Sequence, residues 1–147
     1  MNPIVAIPSR LAATRLPNKP LADIHGVPMI VHVWRRAMEA DCGPGLVACA
    51  EQALVDAVAA AGGKAVLTDP NHPTGSDRIA EAVGRFDPDR RHDVVINVQG
   101  DLPTVDPAVI RASLLALEDA AVDIGTLVAE IKHEDERANP NVVKCVT

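Results

Sequence analysis

Aromatic side chains are nearly absent: Trp34 and Phe86 stand alone, and the 147 residues include no Tyr. The core must therefore be aliphatic, built from Val, Ile, Leu and Ala. Stacking bases on aromatic platforms, the usual device of single-strand binders, is poorly supplied. Positive charge is also short, with 14 Lys and Arg against 20 Asp and Glu and a formal net charge of −6. That balance argues against a basic nucleic-acid platform. It leaves room for a phosphorylated small molecule, which needs only a few local cations. Cys42, Cys49 and Cys145 are odd in number and lack ligand spacing, so they read as reduced packing or surface residues of a cytoplasmic protein. No apolar run approaches the roughly 20 residues that span a bilayer. The opening Met1-Asn2-Pro3-Ile4-Val5-Ala6-Ile7 lacks the basic region of a signal peptide. Neither GxGxxG nor GxxxxGK[ST] occurs, which counts against a hydride-transfer enzyme and a P-loop NTPase, because both cradle phosphate with glycine-loop N–H groups.

What is present is an alternation of short apolar runs with longer stretches of helical period, in a length that suits one domain. Strands are expected at Ile4–Ile7, stopped by Pro8, and at Leu46–Cys49, Lys64–Thr68, Asp93–Val98 and Ile124–Ile131. Between them, helices are expected from Pro28 to Ala40 and from Gln52 to Ala61, the second ended by Gly62-Gly63. A third starts at Ser76 or Asp77 as cap, with Ile79, Val83 and Phe86 on one face. A fourth is capped by Asp106, has Pro107 at its first position, and buries Ile110, Leu114 and Leu117. Asn139 to Thr147 reads as a turn and the start of one more strand. The fold class is α/β: a Rossmann-like, mostly parallel sheet with helices on both faces.

Such sheets bind ligands beyond the carboxyl ends of their strands, and the residues rich in chemistry fall there. The loop after the first strand carries Arg10, Arg15 and Lys19, cations suited to a triphosphate: Arg as a planar fork, Lys as a mobile point charge. A solvated basic loop is the plainer alternative. After the fourth strand come Gln99-Gly100-Asp101. Asp101 is placed to hold Mg²⁺, a hard ion that takes oxygen ligands and shares phosphate oxygens and waters. Gly100 would let backbone approach a ligand, and Gln99 offers a donor and an acceptor to a base or ribose edge. The alternative is an ordinary turn. His72-Pro73-Thr74-Gly75-Ser76-Asp77-Arg78 opens a helix, where free N–H groups sit beside small hydroxyls; a plain N-cap with an exposed Arg is the simpler reading.

Together these segments resemble the 3-deoxy-manno-octulosonate cytidylyltransferases, or CMP-Kdo synthetases. The matching text is Ile7-Pro8-Ser9-Arg10, Thr14-Arg15-Leu16-Pro17-x-Lys19-Pro20-Leu21, Gly26-x-Pro28-Met29-Ile30, His72-x-x-Gly75-Ser76-Asp77-Arg78, Asn97-Val98-Gln99-Gly100-Asp101-x-Pro103 and Asn139-Pro140-Asn141-x-Val143-Lys144. The resemblance runs through the whole chain but only through the N-terminal portion of the family. Residues 1–147 are thus expected to be the nucleotide-binding α/β domain without the C-terminal sugar-binding and dimerisation part.

The resemblance implies transfer of CMP from CTP to Kdo, with Mg²⁺, in lipopolysaccharide biosynthesis. It implies Arg10, Lys19 and Asp101 as catalytic residues, Asp101 also as metal ligand, and Arg15, Gly75, Ser76, Arg78 and Gln99 around the nucleotide. CTP and Kdo are the implied partners, with a homodimer at full length and no nucleic acid or membrane. Leu102 departs from the family pattern, where Glu is frequent, and receives no role. A sialic-acid type cytidylyltransferase and a non-catalytic nucleotide-binding fragment remain alternatives.

Overall fold

A computed structural model describes residues 1–12 and 17–146. The chain divides into two compact units, Met1–Arg111 and Ala112–Thr147. The first is built on a four-stranded sheet of β1 (Pro3–Ser9), β4 (Gly45–Cys49), β5 (Lys64–Leu67) and β6 (Val94–Asn97), in the order β5-β4-β1-β6. Every pairing in it is parallel. A short antiparallel pair, β2 (Asp23–Ile24) with β3 (Val27–Pro28), precedes the first long helix. Among the described residues no helix is long and apolar enough to cross a membrane.

Ile4, Val5, Ala6 and Ile7 are fully buried, as are Leu46, Val47, Ala48 and Cys49. These central strands are covered on both faces, so their sequences are unbroken apolar runs. The connections β1 to β4 and β4 to β5 step one way along the sheet, and β5 to β6 steps back past β1. Right-handed crossovers therefore put α1 (Met29–Glu39) and α2 (Gln52–Ala60) on one face and α3 (Gly75–Phe86) on the other. The α3 face closes over Ile4, Leu46, Ala48 and Ala82, with Val66, Val83 and Phe86 at its margin. On the other side α1 and α2 pack on each other and on the sheet. Gly62, at φ 85°, turns the chain out of α2, and the Gly63 N–H bonds back to the Val58 carbonyl at 2.9 Å.

β1 runs through Pro8, contrary to the expected stop. The Val5 N–H and the Ser9 carbonyl bond on the β4 side, while the Ala6 carbonyl bonds on the β6 side. Alternation turns Pro8 to the β6 side, where strand pairing ends at Ala6 with Asn97. The missing N–H thus removes no ladder bond. The cap of α3 also differs from expectation: Thr74, not Ser76 or Asp77, is the cap, and its hydroxyl accepts the Asp77 N–H at 3.2 Å. Asp106 does cap α4 (Pro107–Ala112), accepting the Ala108 N–H at 2.8 Å.

Asp87 closes the C-terminus of α3. It accepts the backbone N–H groups of His92 at 2.9 Å and Arg91 at 3.0 Å, and the His92 ring Nδ1 lies 2.9 Å from the same carboxylate. The His92 and Arg91 N–H bonds, in that order, lower its pKa from 3.8 to about 2. The folded value lies below the unfolded one, so this stabilisation is complete above the ordinary carboxylate value and is lost as pH falls through about 2. Asp87→Asn is expected to lower stability at neutral pH and to flatten its fall under acid. An acid titration followed by circular dichroism checks this; an unchanged acid limb would refute it.

In residues 112–147 the expected strand Ile124–Ile131 is absent, and Ile124 is 87% exposed. A β-rich sequence does not order as a strand without a hydrogen-bonded neighbour. The unit holds a 3₁₀ turn at Leu115–Glu118, a short helix α5 at Glu134–Ala138, and a turn closed by the Val142 N–H on the Asn139 carbonyl. No strand follows that turn among the described residues, and Leu114 and Leu117 are half-buried rather than buried.

Candidate active site

The reversal of strand order falls between β1 and β6, and ligands in open α/β sheets bind at such a point. A cleft of about 210 Å³ lies there. Its walls are Pro8, Ser9 and Arg10 from the end of β1, His72 to Gly75 with Arg78 from the start of α3, and Gln99 beyond β6. Arg10 and Gln99 are both exposed, and the Gln99 amide donates to Asn97 Oδ1 at 3.3 Å. Thus Arg10, Gly75, Arg78 and Gln99 are brought to one concavity. Ser76 is exposed on the first turn of α3 and is not among the lining residues. Arg15 lies outside the described residues.

Lys19 and Asp101, 82 residues apart, meet directly, with Nζ 3.0 Å from Oδ2. Lys19 opens a 3₁₀ turn at Lys19–Leu21, entered through Asn18 in the left-handed region at φ 58°. The side chains of Lys19 and Asp101 are 38% and 56% exposed. An exposed pair of this kind contributes about 0–1 kcal/mol to stability, too little to be a structural anchor. It holds a cation and a carboxylate side by side at the carboxyl edge of the sheet.

Two residues of the site are also held by contacts within the protein. Arg78 borders the cleft, yet it is only 2% exposed. Its guanidinium donates to the Thr68 hydroxyl at 2.6 Å and to the carbonyls of Asp69 at 3.0 Å and Pro70 at 3.4 Å. It straps the loop between β5 and α3 in place. Gly100 is required by the protein backbone: a Cβ there would lie 2.5 Å from the Pro8 carbonyl oxygen. Gly100→Ala must push β1 and the 99–101 turn apart and is expected to lower stability by about 1–3 kcal/mol. Chemical denaturation checks this; a variant as stable as wild type would contradict the packing.

Glu81 on α3 is a hub that local sequence reasoning missed. Its carboxylate accepts the Asp69 N–H at 2.9 Å, contacts the His72 ring, and pairs with Arg85. The Asp69 N–H bond first, then the His72 bond, hold it below the usual carboxylate range. The network fixes the loop that carries His72 into the cleft. Its partners are up to 12 residues apart in sequence, and no short motif marks it. Cys49, at the end of β4, has its thiol pushed up to about 12, chiefly by burial, so it is an inert packing group rather than a nucleophile.

No group of three or more His, Cys, Asp or Glu that could cage a metal occurs among the described residues. A single exposed Asp101 carboxylate fits Mg²⁺ of the shared kind, held by one or two carboxylates with the remaining positions taken by phosphate oxygens and water.

The model of the family described as "Cytidylyltransferase" matches residues 4–147. A 3-deoxy-manno-octulosonate cytidylyltransferase of Rhodospirillum centenum is 66% identical over 145 residues, which is 99% of this chain and 56% of that protein. The one of Paramagnetospirillum magneticum is 60% identical over 146 residues, or 99% and 59%. The chain therefore spans 56–59% of the length of these two curated relatives. Among solved structures, a CMP:2-keto-3-deoxy-manno-octonic acid synthetase complexed with CTP superposes with a TM-score of 0.75 at 36% identity, over 83% of this chain and 49% of that one. The α/β fold, the site at its strand reversal and the match through residues 4–147 agree: the chain belongs to the cytidylyltransferase family.

Proposed function

We propose that this chain is the nucleotide-binding part of a 3-deoxy-manno-octulosonate cytidylyltransferase, which transfers CMP from CTP to Kdo and releases pyrophosphate, in lipopolysaccharide biosynthesis. The observation that carries this reading is the Lys19–Asp101 pair at 3.0 Å, with Asp101 two residues along the chain from Gln99, which lines the cleft together with Arg10. The names of the relatives and the CTP of the superposed structure support it.

In this reading the Kdo anomeric hydroxyl attacks the α-phosphorus in line. A new O–P bond forms as the bond to pyrophosphate breaks. Catalysis of this kind is mainly positioning and charge neutralisation. Arg10 and Lys19 meet the phosphate oxygens, with Arg15 as a supporting cation. Gln99 presents a donor and an acceptor to the base or ribose edge. Gly75 and Ser76 offer small groups at the N-terminus of α3, and Arg78 holds the opposite wall through the 68–70 loop. Asp101 would hold Mg²⁺, which when bound supplies charge neutralisation at the phosphates. The remaining length of the relatives is the source expected for the sugar pocket and a homodimer face. CTP as substrate fits a cytoplasmic setting.

Pyrophosphate release from CTP, Kdo and Mg²⁺ is the test. Release that requires Kdo is the expected result. The other reading is a nucleotide-binding module without turnover. Saturable CTP binding with no pyrophosphate would support that reading and overturn the enzymatic one.

A further inference from the structure

Arg10 and Lys19 flank a loop whose ends are tied to one point. The Leu11 carbonyl accepts the Asn18 N–H at 3.2 Å, closing the neck of the loop. The Leu11 N–H donates to Glu51 Oε2 at 3.0 Å, a contact spanning 40 residues. Glu51 stands two residues beyond β4, at the N-cap of α2, and the parallel ladder extends to the residue before it, with the Ala50 N–H on the Ser9 carbonyl at 3.0 Å. From Asn18 the chain turns through the left-handed region into the 3₁₀ turn that presents Lys19 to Asp101.

We propose that Glu51 is a positioning residue for nucleotide binding: by fixing the Leu11 N–H to the start of α2, just beyond β4, it sets the spacing of Arg10 and Lys19. The proposal rests on the nucleotide reading above. With Leu11 and Asn18 held by backbone and side-chain bonds, the adjoining Arg10 and Lys19 lose less freedom when both must face one triphosphate. Glu51 also carries a negative charge next to where phosphates would bind, which opposes them. What favours binding is therefore its acceptor oxygen rather than its charge. That separates Glu51→Gln, which retains an acceptor and removes the charge, from Glu51→Ala, which removes both.

The experiment is calorimetric titration of CTP with Mg²⁺ into wild type, Glu51→Ala, Glu51→Gln and Lys19→Ala, with amide hydrogen exchange of the unliganded proteins. Glu51→Ala is expected to weaken CTP binding about fivefold, the equivalent of one net hydrogen bond, and to speed exchange at Leu11. Glu51→Gln is expected to keep at least wild-type affinity and wild-type protection at Leu11. Should Lys19→Ala weaken binding while Glu51→Ala does not, the positioning role is wrong and the nucleotide reading stands. Should Glu51→Gln lose as much as Glu51→Ala, the acceptor bond is not the cause and the proposal fails. Unchanged affinity in Lys19→Ala would overturn both.

Discussion

Asp101→Asn is expected to cut pyrophosphate release from CTP and Kdo by on the order of 10³-fold, the scale seen when a preorganised charge partner is removed from the reacting centre. The substitution keeps the size of the side chain and most of its hydrogen bonding. It removes the charge that a divalent cation needs and replaces one oxygen with a poor ligand. The fold should not change, because Asp101 is exposed and its pair with Lys19 is an exposed one. Steady-state kinetics with a thermal melt on the same sample separates the two effects. Full activity at wild-type stability would remove Asp101 from the reaction.

Lys19→Ala is expected to weaken CTP binding by about 10- to 100-fold, since hydrogen bonds to charged groups contribute about 1.5–3 kcal/mol each. Asp101 would then face the triphosphate without the ammonium now 3.0 Å from it, so repulsion adds to the lost attraction. The melting temperature should barely move, because exposed ion pairs contribute so little. Lys19→Arg is not a neutral control: the planar guanidinium is a fork with fixed geometry, not a compact point charge. The loss should grow as salt is lowered, where charge contacts are least screened. Affinity equal to wild type at low salt would contradict the role.

Much of this architecture was legible in the sequence for one reason. Buried parallel strands must be continuous apolar runs, and β1 and β4 are, so the points where such runs end are marked by the first polar residues. Ser9 and Arg10 stand at such a point, past the buried run of β1. The meeting of Lys19 with Asp101 follows from strand order, because β6 is the neighbour of β1. Contacts without local periodicity were not legible. Glu51 reaches Leu11 across 40 residues and Glu81 reaches the Asp69 N–H across 12, and nothing near either glutamate announces the partner. Thr74 precedes Asp77 by three residues, a capping-box spacing, but Ser76 and Asp77 beside it are equally good caps by residue type. Nor does the sequence reveal that a Cβ at Gly100 would meet the Pro8 carbonyl. At Ile124–Ile131 propensity misled, since a strand forms only with a partner.

The convergence of the loop cations and Asp101 on one triphosphate–metal unit is tested most directly by CTP affinity with and without Mg²⁺, in wild type and in Asp101→Asn. Wild type should bind CTP more tightly with Mg²⁺, and Asp101→Asn should lose most of that gain. Without metal, Asp101→Asn should bind CTP at least as tightly as wild type, because a negative charge has been taken from beside the phosphates. Equal gains from Mg²⁺ in the two proteins would contradict the convergence.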